Sequence, residues 1–175
     1  MQNKHWSKWK QNNLILLDGS TNENTDGVNT ESGDETVSEF PDLEVRFGND
    51  GELFILHLYD NDTAVEIAKD VGSAEWNLPI FNYDDFENYE VMQYYDIPAK
   101  NTIPSNPETV TSEKAGEVYY SDSNRIIFFY QDAEVTGEYT KVGYIDYSDE
   151  LYEAVVNNPV IEGWGNKIVS ISRTK

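Results

Sequence analysis

Cysteine is absent from the 175 residues, and histidine occurs only twice. The absence of cysteine excludes disulfide scaffolds, thiol catalysis, thiolate zinc sites and iron–sulfur clusters. Two histidines argue against a metal site built from several imidazoles. The composition therefore predicts neither a metal nor another cofactor.

Basic residues are also scarce, since 12 lysines and arginines stand against 33 aspartates and glutamates and the formal net charge is −21. Such a chain repels polyanions and has too few cations to neutralise a run of phosphates. The charge equally opposes binding to an anionic membrane surface. No apolar run approaches the ~18 residues of a spanning helix. We expect no nucleic acid among its partners and no membrane-spanning segment.

Residues 1–40 differ in composition from the rest of the chain. From residue 18 onward they are rich in Asn, Thr, Ser, Gly, Asp and Glu, and too poor in apolar residues to offset the entropy cost of ordering. We predict a flexible acidic segment over 1–40 and a folded domain over 41–175. The first 17 residues combine three lysines, two tryptophans and the run Leu14–Leu17. Three interpretations are open: a shortened export segment, an amphipathic arm that docks on a partner, and a loose terminus.

The folded domain shows mostly the pattern of β-strands. Alternating apolar residues over 43–47, a Gly-Asn-Asp-Gly turn and the apolar run 53–59 predict a hairpin. A second hairpin is predicted over 116–130. The capping box Thr63–Glu66 predicts the start of a helix with one apolar stripe, and a second short helix is predicted near Ser148. Many short strands with two short helices predict a closed or nearly closed barrel.

Four segments also occur in the order and spacing of a known family. They read LYDNDTA at 58–64, GEVYY at 116–120, IIFFY at 126–130 and EYTKVGYID at 138–146. In these segments the chain resembles the bacterial cyclophilin-like domain family, over about residues 42–173. The resemblance implies a mainly β fold, a small barrel of about eight strands with short helices near its ends.

The resemblance does not carry the prolyl isomerase activity of cyclophilins. Those enzymes present an arginine in an FHR-like segment, and none of Arg46, Arg125 and Arg173 lies in one. We expect a non-enzymatic module that binds a protein, a peptide or a small ligand, with a diverged peptidyl-prolyl cis-trans isomerase as the alternative. Some relatives are exported lipoproteins or occur beside flavodoxin-like domains. The resemblance therefore implies an exported or cell-envelope protein (the alternative is cytoplasmic) and offers a flavodoxin-like protein as one candidate partner.

Aromatic residues supply the main signal for a binding site. Tyrosine and tryptophan give large contact areas at low entropic cost, and the resembling segments place several tyrosines near strand ends, where the mouth of a barrel forms a pocket. The alternative is that these rings fill the core. His57 lies inside an apolar strand, which favours a structural role, and the abundant carboxylates single out no catalytic pair. The candidate ligand-binding residues are Tyr59, Asn61, Tyr120, Arg125, Tyr130 and Tyr139.

Overall fold

The computed structural model describes residues 40–81 and 88–175. Apart from Phe40, the predicted flexible segment 1–40 lies outside the described residues. The strands are β1 (Leu43–Phe47), β2 (Phe54–Leu58), β3 (Trp76–Pro79), β4 (Met92–Asp96), β5 (Glu108–Val110), β6 (Glu117–Ser121), β7 (Arg125–Phe129), β8 (Gly137–Ile145) and β9 (Ile168–Arg173). The helices are α1 (Asp62–Ser73) and α2 (Asp149–Val156).

The strands form one antiparallel sheet in the order β3-β9-β1-β2-β8-β6-β7-β4, and β5 pairs with β8 off this path. The two edge strands approach each other. Ile80, directly after β3, makes an isolated bridge with Tyr95 in β4, and the amide of Phe81 donates to the carbonyl of Tyr94 at 2.8 Å. We call this junction between β3 and β4 the seam. Among the described residues, no longer run of paired residues joins the two strands there. The predicted barrel of about eight strands with two short helices is therefore confirmed, in its nearly closed form.

The β1–β2 hairpin follows from the alternation in the sequence. Leu43, Val45 and Phe47 are at most 2% exposed, while the residues between them are half-buried. Because side chains alternate across a strand, one face of β1 packs into the barrel and the other faces outward. The predicted first hairpin is present, with Leu43 opposite Leu56.

Helix α1 begins two residues earlier than the capping box predicts. Asn61 is the N-cap, and its side-chain oxygen accepts from the amide of Ala64 at 2.9 Å. The hydroxyl of Thr63 instead donates to the carbonyl of Pro104 at 2.6 Å. Asparagine caps helices as well as threonine does. Asn61 therefore occupies the cap position, and Thr63, which the local pattern predicts as the cap, makes a tertiary hydrogen bond instead. The apolar stripe is buried as predicted, and neither described helix is long and apolar enough to cross a membrane.

The sheet buries apolar side chains on both faces. Ile126 and Phe128 of β7 pack in the main core, inside the barrel, whereas Ile127 and Phe129 pack in a second group on the opposite face. We call this second group the outer cluster, and β5 and the segment 131–135 pack against it. The outer cluster consists of Met92, Tyr119, Ile127, Phe129 and Tyr139, with Val91, Tyr94, Val110, Ala133 and Val135 packed around it.

Candidate functional site

Two of the tyrosines selected from the sequence lie in the main core. Tyr120 and Tyr130 are 5% and 4% exposed. The hydroxyl of Tyr120 donates to the side-chain oxygen of Asn124 at 3.2 Å, and that of Tyr130 donates to the carbonyl of Tyr89. Burial raises the pKa of Tyr130 to about 12. Both phenols are therefore neutral groups whose hydroxyls already have partners.

Tyr139 faces the other side of the sheet, in the outer cluster. Its hydroxyl lies 3.3 Å from that of Tyr94, and its ring centroid lies 5.8 Å from that of Tyr119. Burial, followed by the hydrogen bond with Tyr139, raises the pKa of Tyr94. Tyr139 therefore belongs to a packed aromatic group that does not include Tyr120 or Tyr130.

Tyr59 and Asn61 lie together at the end of β2, beside β8. The amide of Tyr59 donates to the carbonyl of Val142 at 3.0 Å, and its ring packs 6.0 Å from that of Tyr144. Asn61 uses its amide group on the carbonyl of Lys141 at 2.9 Å, and its oxygen caps α1. The side chain of Asn61 thus joins α1 to the barrel.

Arg125 begins β7 and is held by three neighbours. Its Nε donates to a carboxylate oxygen of Asp96 at 2.8 Å, and one terminal nitrogen donates to the hydroxyl of Ser123 at 3.1 Å. The guanidinium carbon lies 3.5 Å from the ring centroid of Phe81. These contacts hold Arg125 at the seam between β3 and β4. The alternative that the protein is a diverged prolyl isomerase stays a prediction.

The six residues therefore fall into separate environments: the main core, the outer cluster, the α1 cap and the seam. As a ligand-binding set they stay a prediction. Tyr120 and Tyr139 face opposite sides of the sheet, so they cannot line the same pocket in this conformation. The structure offers a different concave site, which the sequence analysis did not select.

This site is a cavity of about 690 Å³ between the β1–β2 turn and α2, which we call the acidic cavity. Its apolar surface comes from Phe47, Ala154, Pro159 and Ile161. Its carboxylates are Asp50, Glu52, Asp149, Glu150 and Glu153. None of the described residues that line it is a lysine, an arginine or a histidine.

Glycine and the hairpin geometry shape one wall of the acidic cavity. Gly48 has a φ of +86°, which favours glycine. A β-carbon at Gly51 would lie 2.3 Å from the carbonyl oxygen of Phe47, so that position cannot hold a side chain without moving the turn. The tight turn presents Asp50 and Glu52 on the side of α2.

Helix α2 supplies the opposite wall. Ser148 caps it by accepting from the amide of Leu151 at 3.1 Å. Asp149 and Glu150 lie in the first turn, where the positive end of the helix dipole stabilises anions. Glu153 lies about one turn later and accepts from the side chain of Asn157 at 2.8 Å. The dipole thus stabilises the two carboxylates that lie at the start of α2.

The geometry and charge of the acidic cavity define the ligand that fits it. Its volume lies within the about 300–1,000 Å³ typical of small-molecule sites. Carboxylates attract a cation. Burial of hydrocarbon against the apolar lining residues makes binding more favourable. A ligand with a positive charge and an apolar portion satisfies both surfaces.

A second unusual group lies beside the outer cluster. Glu113 is fully buried. One of its carboxylate oxygens accepts from the amide of Val135 at 3.1 Å, and the other has no hydrogen-bond partner among the described residues. Burial raises the pKa of Glu113, and the charge of Glu117 adds to that rise. Over residues 40–81 and 88–175, no group of three or more histidine or acidic side chains is arranged to hold a metal ion.

Comparison with known proteins places this nearly closed barrel in a family. The model of the cyclophilin-like family matches residues 47–171, so the chain belongs to the cyclophilin-like family. The resemblance to the cyclophilin-like family inferred from the four sequence segments is confirmed, and the bacterial origin stays a prediction. No curated protein matches the chain in a sequence comparison.

A solved structure, that of McbB in complex with tryptophan, has a similar fold. The TM-score is 0.57, the sequence identity is 18%, and the match covers 75% of this chain and 44% of that one. The chain therefore spans less than half the length of this structural neighbour. At such an identity the similarity extends to the fold alone.

Proposed function

We propose that the protein is a ligand-binding module that holds a cationic, partly apolar ligand in the acidic cavity. The observation that carries the proposal is the combination of five carboxylates with an apolar floor and no basic residue among the described lining residues. The proposal concerns binding without a chemical step, in line with the expectation of a non-enzymatic module. Its site differs from the strand-end tyrosines selected from the sequence.

The physical forces available at the cavity set a modest affinity. Exposed ion pairs contribute about 0.2–1 kcal/mol each, and covering roughly 100 Å² of apolar surface contributes about 2.5 kcal/mol. A ligand that uses two or three carboxylates and this apolar surface gains about 3–5.5 kcal/mol, so its Kd should lie between about 0.1 and 10 mM. The electrostatic part should weaken as salt shortens the screening length from about 10 Å at 0.1 M to 3 Å at 1 M.

Isothermal titration of the full chain with 4-phenylbutylamine and with 4-phenylbutyrate tests the proposal. The two probes share an apolar body and differ in the sign of their charge. We expect the amine to bind and the carboxylate not to bind. Equal binding of both probes, or binding of neither, would refute the proposed function.

Paired variants separate the cavity from the general negative charge of the protein. Glu52→Gln with Glu153→Gln removes one carboxylate from each wall, while Glu75→Gln with Glu108→Gln removes two exposed carboxylates elsewhere. Both doubles change the net charge equally. We expect the first to weaken amine binding roughly fivefold, which corresponds to the loss of about 1 kcal/mol, and the second to leave it nearly unchanged. Equal weakening would show that the attraction is not local to the cavity.

A further inference from the structure

A strongly exposed tryptophan, Trp164, lies in the same turn as Ile161, which lines the acidic cavity. Trp164 is 65% exposed. The turn that carries it is closed by a bridge between Ile161 and Asn166, and the amides of Trp164 and Gly165 both donate to the carbonyl of Ile161 at 3.1 Å. Gly163 and Gly165 have positive φ angles of 85° and 66°. A hydrogen-bonded turn with a glycine on each side of Trp164 therefore presents a large apolar ring to water.

Two other apolar side chains in the same stretch of chain are also exposed. Val156 and Val160 are 42% and 46% exposed. They lie in the same stretch of chain as Pro159 and Ile161, which line the acidic cavity. Ile161 is three residues from Trp164, so the Cα atoms of the two are at most about 11 Å apart. An extended segment of about four residues spans that distance between the two Cα atoms.

We infer that the acidic cavity and Trp164 together form a docking surface for a basic segment of a partner protein, with Trp164 as its apolar anchor. The inference rests on the proposed function, because it names the class of ligand for that same cavity. Lysine or arginine side chains meet the carboxylates at the cavity, and their hydrocarbon stems, or a cation over the indole face, cover Trp164. Exposed tryptophans are frequent anchors of protein interfaces.

Charge decides which of several candidate partners can occupy this docking surface. A second copy of this chain would bring another net charge of −21 towards the carboxylates. Nucleic acid and anionic membrane surfaces are repelled for the same reason. A small amine fills the cavity but leaves the indole in water. A basic polypeptide segment satisfies the charge and also covers the ring.

Fluorescence anisotropy with a labelled peptide tests the inference on the full chain. The probe is a nine-residue peptide of alternating lysine and leucine with terminal glycines, and its control has glutamate in place of each lysine. We expect the lysine peptide to bind and the glutamate peptide not to bind. Trp164→Ala should weaken binding of the lysine peptide about tenfold, as for an interface anchor. Tyr89→Ala, which removes another exposed ring (42%), should change it little.

The amine probe makes the two proposals separable. If Trp164→Ala weakens peptide binding and leaves binding of 4-phenylbutylamine unchanged, the inference holds. If the amine binds and the peptide is insensitive to Trp164→Ala, the docking inference fails while the proposed function stands. If the amine does not bind the unmodified protein, both fail. A protein that is dimeric by sedimentation and becomes monomeric with Trp164→Ala would identify a second copy as the occupant and overturn the inference.

Discussion

Asn61 joins α1 to the barrel through two hydrogen bonds, and its replacement by alanine gives the sharpest test of the fold. Its oxygen accepts from the amide of Ala64 at 2.9 Å, and its nitrogen donates to the carbonyl of Lys141 in β8 at 2.9 Å. Asn61→Ala removes both. It leaves one amide of the first helical turn and one strand carbonyl without these partners.

The expected cost follows from the two bonds taken separately. Loss of an N-cap typically costs about 1 kcal/mol, and loss of a hydrogen bond to a partly buried carbonyl costs about another 1 kcal/mol. Asn61→Ala should therefore lower the free energy of unfolding by about 2 kcal/mol. For a folded region of this size, that corresponds to a fall in Tm of roughly 8 °C.

Two matched variants divide this cost into its parts. Ser148→Ala removes only a cap, that of α2, and should cost about 1 kcal/mol. Asn61→Asp keeps an oxygen for the cap but places a second acceptor against the Lys141 carbonyl, so it should cost at least the about 1 kcal/mol of that hydrogen bond. Urea unfolding followed by circular dichroism measures all three. If Asn61→Ala costs no more than Ser148→Ala, the link to β8 contributes nothing and the reasoning is refuted.

Three further predictions concern other positions. A β-carbon at Gly143 would lie 2.0 Å from the carbonyl oxygen of His57. Gly143→Ala should therefore lower the free energy of unfolding, measured in urea, by ~3 kcal/mol or more. An unchanged free energy of unfolding would contradict this close approach. Because the native pKa of Glu113 is raised, the native state binds its proton more tightly than the unfolded chain, and stability should fall as the pH rises from the ordinary value of 4.5 through the raised one. Glu113→Gln should flatten that fall in urea midpoints measured from pH 4 to 8, and an unchanged slope would refute the assignment. In a protease-coupled assay on an X–Pro peptide we expect no rate above the uncatalysed one; a rate lost with Arg125→Ala would favour the isomerase.

The strands could be predicted from the sequence because local patterns determine them. Alternation over 43–47 indicates which face of β1 is buried, and the turn after it needs glycine. The start of α1 could not be predicted as securely. Asn61 and Thr63 are both good caps, and only the contact of Thr63 with Pro104, 41 residues away, decides between them.

The candidate site was harder to predict, because it depends on which segments the fold brings together. Adjacent tyrosines look equivalent in the sequence, yet Tyr119 faces the outer cluster and Tyr120 the main core. The acidic cavity joins the turn 48–52 to residues 149–161. The sequence identifies a turn and a helix start at those places, but it does not show that they face each other. The exposure of Trp164 likewise depends on the shape of its turn.

The most direct test of the central claim is to map ligand contacts on the full chain by NMR. In ¹H–¹⁵N spectra recorded during titration with 4-phenylbutylamine, the account predicts saturable shifts of the amides of Gly48, Gly51 and Glu153, reduced by 1 M salt. The chemical shifts of the amides of Tyr120 and Tyr139 should not change. Shifts that centre on those tyrosines, or that spread over all carboxylate-bearing surfaces without saturation, would contradict a ligand site at the acidic cavity.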